Sequence, residues 1–82
     1  MAIYVGIHKF SKNTDEEVIN KGWPKYKDAC AKKGAKAIRL GYNLEKGEGH
    51  CITEASSEEV VREAHEEIEQ IPEDIYEIQV KN

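Results

Sequence analysis

HCITEASSEEVVREAHEE, residues 50–67, changes its hydrophobic period half-way along. His50, Cys51 and Ile52 alternate as strand residues do, which puts Cys51 on the face opposite to both neighbours. Ser56-Ser57-Glu58-Glu59 then fits a capping box, with the Ser56 hydroxyl accepting from the Glu59 amide and the Glu59 carboxylate reaching back. Beyond it Val60, Ala64, Ile68 and Ile71 share one helical face, flanked by Val61 and His65. The stretch therefore predicts a strand, a capped turn and an amphipathic helix. It holds two of the three histidines and one of the two cysteines, so a thiol on a strand and an imidazole on the helix beside it make a candidate site.

The same two periods continue outward. Ala2 to His8 predicts a first strand, with Ile3, Val5 and Ile7 on one face and Tyr4, Gly6 and His8 on the other. Thr14-Asp15-Glu16-Glu17 is a second capping box, and Ile19, Trp23, Tyr26 and Cys30 line the helix it opens. Gly22 and Pro24 predict an interruption there, because proline lacks an amide and clashes with the preceding turn. The expected pattern is a turn or two, a kink, then a main helix from Pro24 to Lys33 ended by Gly34. Lys36 to Asn43 predicts a second strand with Ile38, Leu40 and Tyr42 on one side. A turn over Glu45 to Gly49 leads into a third strand, Gly49 to Ala55. The second helix should run from Ser57 to about Gln70 and stop before Pro72. Ile75 to Val80 predicts the last strand, with Tyr76, Ile78 and Val80 facing one way.

The order β-α-β-β-α-β implies an α+β, ferredoxin-like domain over residues 1–82: a four-stranded antiparallel sheet with two helices on one face. A chain of 82 residues buries only about two-thirds of its unfolded surface. A second copy stacked on the open sheet face, giving a homodimer, is expected for that reason. Twelve basic against sixteen acidic residues leave a net charge of −4, which argues against a nucleic-acid partner. Residues 21–39 carry seven lysines or arginines and one acid, a pattern expected of a solvated helix face and turn. No apolar run reaches signal-peptide or membrane-span length. A soluble cytoplasmic protein is expected, with Cys30 and Cys51 as reduced thiols rather than a disulfide.

His8, His50, Cys51 and His65 are borderline-soft donors that suit zinc, nickel, copper or iron better than magnesium or calcium. No tight ligand motif is present, so spacing alone is weakly specific. Each donor also has an ordinary explanation: His8 solvated at a strand end, Cys51 a small buried hydrophobe, His65 an edge residue of its helix. Cys51 as a nucleophile with His8 or His65 as base is a further alternative, but no acid is placed to orient either imidazole. Glu54 either serves that role or pairs with a lysine across the sheet, the latter being favoured. Trp23, Tyr26, Tyr4, Tyr42 and Tyr76 are candidates to line a small-molecule pocket. Glycine-rich phosphate loops and dinucleotide fingerprints are absent.

Three short segments carry a family resemblance: Val5-Gly6-Ile7-His8, Cys51-Ile52-Thr53-Glu54-Ala55 and Arg62-Glu63-Ala64-His65. With them the chain resembles a group of small bacterial and archaeal proteins, long classed as a domain of unknown function, that includes nickel-binding members. The resemblance implies a ferredoxin-like subunit paired into a dimeric α/β barrel. It departs at Ile7, where the family often has an acidic residue, at Val61 and Lys25, where many members have histidine, and at Glu66, where glycine is common. His8, Cys51 and His65 match. The expected function is non-catalytic binding of a divalent transition metal, nickel or zinc, by His8, Cys51 and His65, with His50 or Glu54 as a fourth ligand. The alternatives are a small-molecule-binding or oxygenase-like enzyme in the cavity of the dimeric barrel, and a structural dimerisation module.

Overall fold

The computed structural model of the protein describes residues 1–12 and 14–81. Six elements follow in the expected order: β1 (Ala2–Lys9), α1 (Glu16–Lys32), β2 (Lys36–Asn43), β3 (Glu48–Ala55), α2 (Glu58–Glu67) and β4 (Asp74–Ile78). The strands form one antiparallel sheet in the order β2-β3-β1-β4. This is the ferredoxin-like arrangement, with both helices on one sheet face. No helix among the described residues is long and apolar enough to cross a membrane.

Strand alternation divides the sheet's side chains into two sets. Tyr4, Gly6 and His8 of β1 stand opposite Thr53, Cys51 and Gly49 of β3, and this set faces the helices. There the core forms two clusters, one of Tyr26, Ala29, Cys30, Cys51 and Ala64, the other of Tyr4, Ala55, Val61 and Ile75. Thr53 is buried among them and its Oγ1 lies 2.6 Å from the Tyr26 hydroxyl, so the polar atoms satisfy each other. The other face carries Ile3, Val5 and Ile7, paired with Glu54, Ile52 and His50. Val5 at its centre is only 6% exposed although no helix covers it, because Ile52 and Tyr76 flank it.

Several local expectations shift by a residue. Asp15, not Thr14, caps α1 and accepts from the Glu17 amide at 3.0 Å. Ser57, not Ser56, caps α2 and accepts from the Val60 amide at 3.3 Å. Where adjacent residues can both cap, the backbone entering the helix decides which one is extended, and a spacing rule does not see that. The expected interruption of α1 is absent: the helix is continuous through Pro24. Pro24 and Asn20 are both exposed, so the carbonyl left without a partner is on the water side.

Helix α2 ends earlier than expected, at Glu67. Glu69 takes φ 59°, and the Glu69 and Gln70 amides donate back to the Glu66 and His65 carbonyls at 3.0 Å each. That pair of hydrogen bonds is a Schellman end with glutamate where glycine is usual. Gly34 ends α1 the same way with φ 75°. The buried stripe of α2 is Val61, Ala64 and His65, whereas Ile71 is exposed. In β2 a register shift between Ala37 and Arg39 leaves Ile38 outside the ladder, while Leu40 and Tyr42 stand opposite Cys51 and Gly49. The basic stretch is solvated, with Lys25, Lys27, Lys32, Lys36 and Arg39 exposed.

Candidate metal centre

His8 lies one residue before the end of β1, where the strand is pinned to β3. The Phe10 amide donates to the Gly47 carbonyl at 2.9 Å, and Lys9 pairs with Glu48 at 2.9 Å. Gly47 has φ 66°, and a Cβ there would collide with the Phe10 carbonyl oxygen, so glycine is required at this crossing. Cys51 is mid-strand in β3 and 3% exposed; His65 is in the last turn of α2 and 2% exposed.

These three side chains converge. Cys51 Sγ is 3.3 Å from His65 Nε2 and 3.5 Å from His8 Nε2. The three donor atoms all lie within 4.8 Å of one another, and no other group of His, Cys, Asp or Glu among the described residues is this close. Gly6 makes the meeting geometrically allowed. A Cβ at that position would lie 2.7 Å from Cys51 Sγ and 3.4 Å from His65 Cε1. A strand-interior glycine signals close approach of another group, and that is its use here.

His65 is held from three sides. Its Nδ1 lies 2.8 Å from the Val61 carbonyl oxygen. A carbonyl only accepts, so Nδ1 carries the proton and Nε2 presents its lone pair to the thiol. The Tyr26 ring packs on the imidazole with centroids 4.3 Å apart, and the His8 ring lies at 5.1 Å. Tyr26 in turn is fixed by Thr53 and by Trp23, 5.9 Å away.

Burial sets the protonation states. It pulls His65 down to about 4, opposed in part by the Val61 carbonyl bond and reinforced by His8. It also lowers His8, with His50 contributing. Burial pushes the Cys51 thiol up to about 11. The centre is therefore two neutral imidazoles and a protonated thiol at neutral pH, the donor forms a borderline metal takes once the thiol proton leaves. Zinc–sulfur and zinc–nitrogen bonds of about 2.3 and 2.05 Å at a tetrahedral angle put the donors about 3.6 Å apart. Both sulfur–nitrogen distances are close to that, whereas the donor atoms span up to 4.8 Å, so the two imidazoles must draw together by about an ångström for all three donors to reach one divalent ion.

The two candidate fourth ligands are not brought to this point. His50 is exposed and Glu54 half-buried, and both point to the opposite sheet face from Cys51 because side chains alternate along β3. Glu54 stands opposite Lys36 in the ladder, as a cross-strand pair would. Of the five aromatics proposed for a pocket, Trp23, Tyr26 and Tyr42 do line one, a cleft of about 340 Å³ between the helices and the sheet, onto which all three donors open. Tyr4 packs in the core instead, and Tyr76 is 46% exposed on the other face. The cleft thus lies on the helix side, not against the open sheet face. The sequence reading put Gly6 on the same face as His8 but gave it no part in the site, although a strand-interior glycine is a signal of close approach; Phe10 and the α2–β4 loop carried no signal.

No protein-family model and no curated protein sequence matches the chain. The crystal structure of SCO4226 from Streptomyces coelicolor A3(2) is similar in fold, with a TM-score of 0.89 over 99% of this chain and 100% of that one, at 15% sequence identity. At that identity the likeness concerns the fold.

Proposed function

We propose that the chain is a small, non-catalytic metal-binding protein that holds a divalent transition ion, nickel or zinc, through His8, Cys51 and His65. The observation that carries this reading is the convergence of a thiol and two imidazoles from β3, β1 and α2 within 4.8 Å. Its strongest detail is His65, whose Nδ1 bond to Val61 turns the Nε2 lone pair toward Cys51. Orientation of a ligand imidazole by a carbonyl is the usual outer support of metal-binding histidines. In the metal-free protein the thiol proton satisfies that nitrogen at 3.3 Å, and loss of the proton leaves both atoms free to take an ion. When bound, the ion would supply a Lewis-acidic centre; this chain's residues supply the donors and hold them apart from bulk water. A reducing cytoplasm suits the free thiols Cys30 and Cys51.

Calorimetric titration of tag-free protein with nickel or zinc tests this. Stoichiometric binding is expected for the wild type, and His65→Ala should remove most of it. Unchanged binding in that variant ends the proposal.

The same reading includes a second copy on the open sheet face. Ile3, Val5, Ile7, Ile52, Tyr76 and Ile78 form an apolar stripe there, of a kind that a monomer seldom leaves to water. Tyr76→Asp should shift a sedimenting dimer to monomer. A wild type that already sediments as a monomer would remove this part of the proposal alone.

A further inference from the structure

The cleft onto which the triad opens has a chemistry of its own, separate from any ion. At about 340 Å³ it lies at the small end of the range for small-molecule sites, roughly 300–1,000 Å³. Phe10, Ile19, Trp23, Leu40 and Ile68 give it an apolar wall. Most of its polar side chains are engaged with the protein: the Tyr26 hydroxyl with Thr53, the Tyr42 hydroxyl with Glu16 and the Lys9 ammonium with Glu48. The Gln70 side chain lies against Gly22, where a Cβ would be 2.9 Å from its Nε2, so α1 and the turn after α2 meet on that side.

Depth and charge are unevenly distributed. Cys51 and His65 are buried and form the floor, while Val18 and Ile71, the latter 62% exposed, form the mouth. Glu69, also exposed, lines the cleft beside Ile71. It joins no ion pair among the described residues. Lys9, which lines the cleft too, is neutralised by Glu48, and Glu16 brings a further carboxylate to Tyr42. The mouth is therefore acidic and the interior apolar. A ring entering it leaves water for the wall, while a cationic head can stay hydrated at the mouth and still feel Glu69. An anionic head would be repelled there, and a neutral one would gain nothing from the carboxylate.

We infer that the cleft is a binding site for a small primary amine with a ring-sized apolar body. The body lies inside, against Trp23 and Leu40, and the ammonium stays at the mouth beside Glu69. This goes beyond the metal-binding reading and does not depend on it, since no bond to an ion is involved.

Trp23 is the chain's one tryptophan, so its fluorescence reports occupancy of the cleft, with calorimetry as a second readout. The full chain, stripped of metal, is titrated with phenethylammonium. Methylammonium supplies the head without the body, and phenethyl alcohol and hydrocinnamate are near-isosteres with neutral and anionic heads. Phenethylammonium should bind at least about tenfold more tightly than methylammonium, the ring burial alone being worth that much. It should exceed phenethyl alcohol by about threefold, as an exposed ion pair would give, and hydrocinnamate by about tenfold. Glu69→Gln keeps the side-chain length, and should bring phenethylammonium within about twofold of phenethyl alcohol while leaving the alcohol's own affinity unchanged. Phenethylammonium binding no tighter than methylammonium, or not at all by either readout, overturns the site. Hydrocinnamate binding as tightly as the amine, or an amine preference that survives Glu69→Gln, overturns the ligand class. Every titration here is metal-free, so failure of this inference leaves the metal reading standing, and failure to bind nickel or zinc leaves these outcomes unaltered.

Discussion

The two faces of the sheet take neighbouring residues of one strand and give them opposite chemistry. His50 and Cys51 are adjacent in β3, yet Cys51 is buried beneath α2 and His50 is exposed on the uncovered face. Residue type alone would rank both as metal ligands. On the covered face a donor loses water, has its proton affinity moved and meets donors from other elements. On the uncovered face it keeps its water and its nearest partners are those in the ladder. The contrast teaches that a donor becomes a candidate ligand through the face it occupies, and each measurement below either breaks that contrast or sharpens it.

The largest effect is expected in metal affinity. Cys51→Ser should weaken nickel or zinc binding by about 100-fold or more and abolish the thiolate-to-nickel charge-transfer band of the nickel-loaded protein, since losing even a group that only supports a ligand costs about 10–100-fold. His50→Ala and Glu54→Ala should each stay within about threefold. If His50→Ala proved as damaging as Cys51→Ser, the two faces would have to communicate, through a second copy or a rearranged β3.

Glycines in the sheet offer the next comparison. Gly6→Ala pushes a methyl to within 2.7 Å of Cys51 Sγ, whereas a Cβ at Gly41 meets nothing within 4 Å. Overpacking typically costs about 1–3 kcal/mol, so Gly6→Ala should lower the denaturant midpoint clearly. Gly41→Ala should change stability by no more than about 0.5 kcal/mol. Equal effects would mean that the thiol–imidazole cluster yields easily, which would weaken its claim to be preorganised.

Acid and alkali should both destabilise the metal-free protein through the covered face. His65 has its folded value depressed from 6.5 to about 4, so the unfolded chain binds the proton first. Its contribution is complete above pH 6.5 and is lost as pH falls through about 4. Cys51 has its folded value raised from 9.0 to about 11. Its contribution is complete below pH 9.0 and is lost as pH rises through about 11. Urea midpoints measured across this range should show a plateau between the two losses. His65→Gln should flatten the acid limb and leave the alkaline one; an unaltered acid limb would place the sensitive group elsewhere.

The smallest effect concerns the end of α2. Glu69 holds φ 59° where Gly34 serves the equivalent place in α1. A side chain in that left-handed region costs about 1 kcal/mol, so Glu69→Gly should raise thermal stability by about that amount or less. The gain should appear without any change in metal affinity, because the turn's bond to the His65 carbonyl is kept. A changed affinity would show that the turn, not only α2, positions the imidazole.

The order of the elements was legible because each long element carries its own period: alternation through Ala2–His8, and the Ile19, Trp23, Tyr26 and Cys30 stripe on α1. Boundaries were less so. Thr14 against Asp15 and Ser56 against Ser57 are pairs of good capping residues, and only the chain path chooses between them. Pro24 was read as an interruption because a local rule does not know which side of the helix faces water. His65 looked like a flank of the α2 stripe. The crossing of α2 over β1 and β3 rotated the buried face toward Val61, Ala64 and His65, and so moved it to the centre.

By itself the sequence determined the strand and helix pattern, the donor types available to the site and the alternation that separates Cys51 from His50. Those depend on neighbours within a few positions, which the chain carries locally. Only the tertiary structure decided that His8, Cys51 and His65 meet, that Gly6 leaves them room and that a cleft opens onto them. Those depend on pairing β1 with β3 and laying α2 across both, contacts between residues up to 57 positions apart, which local periodicity does not encode.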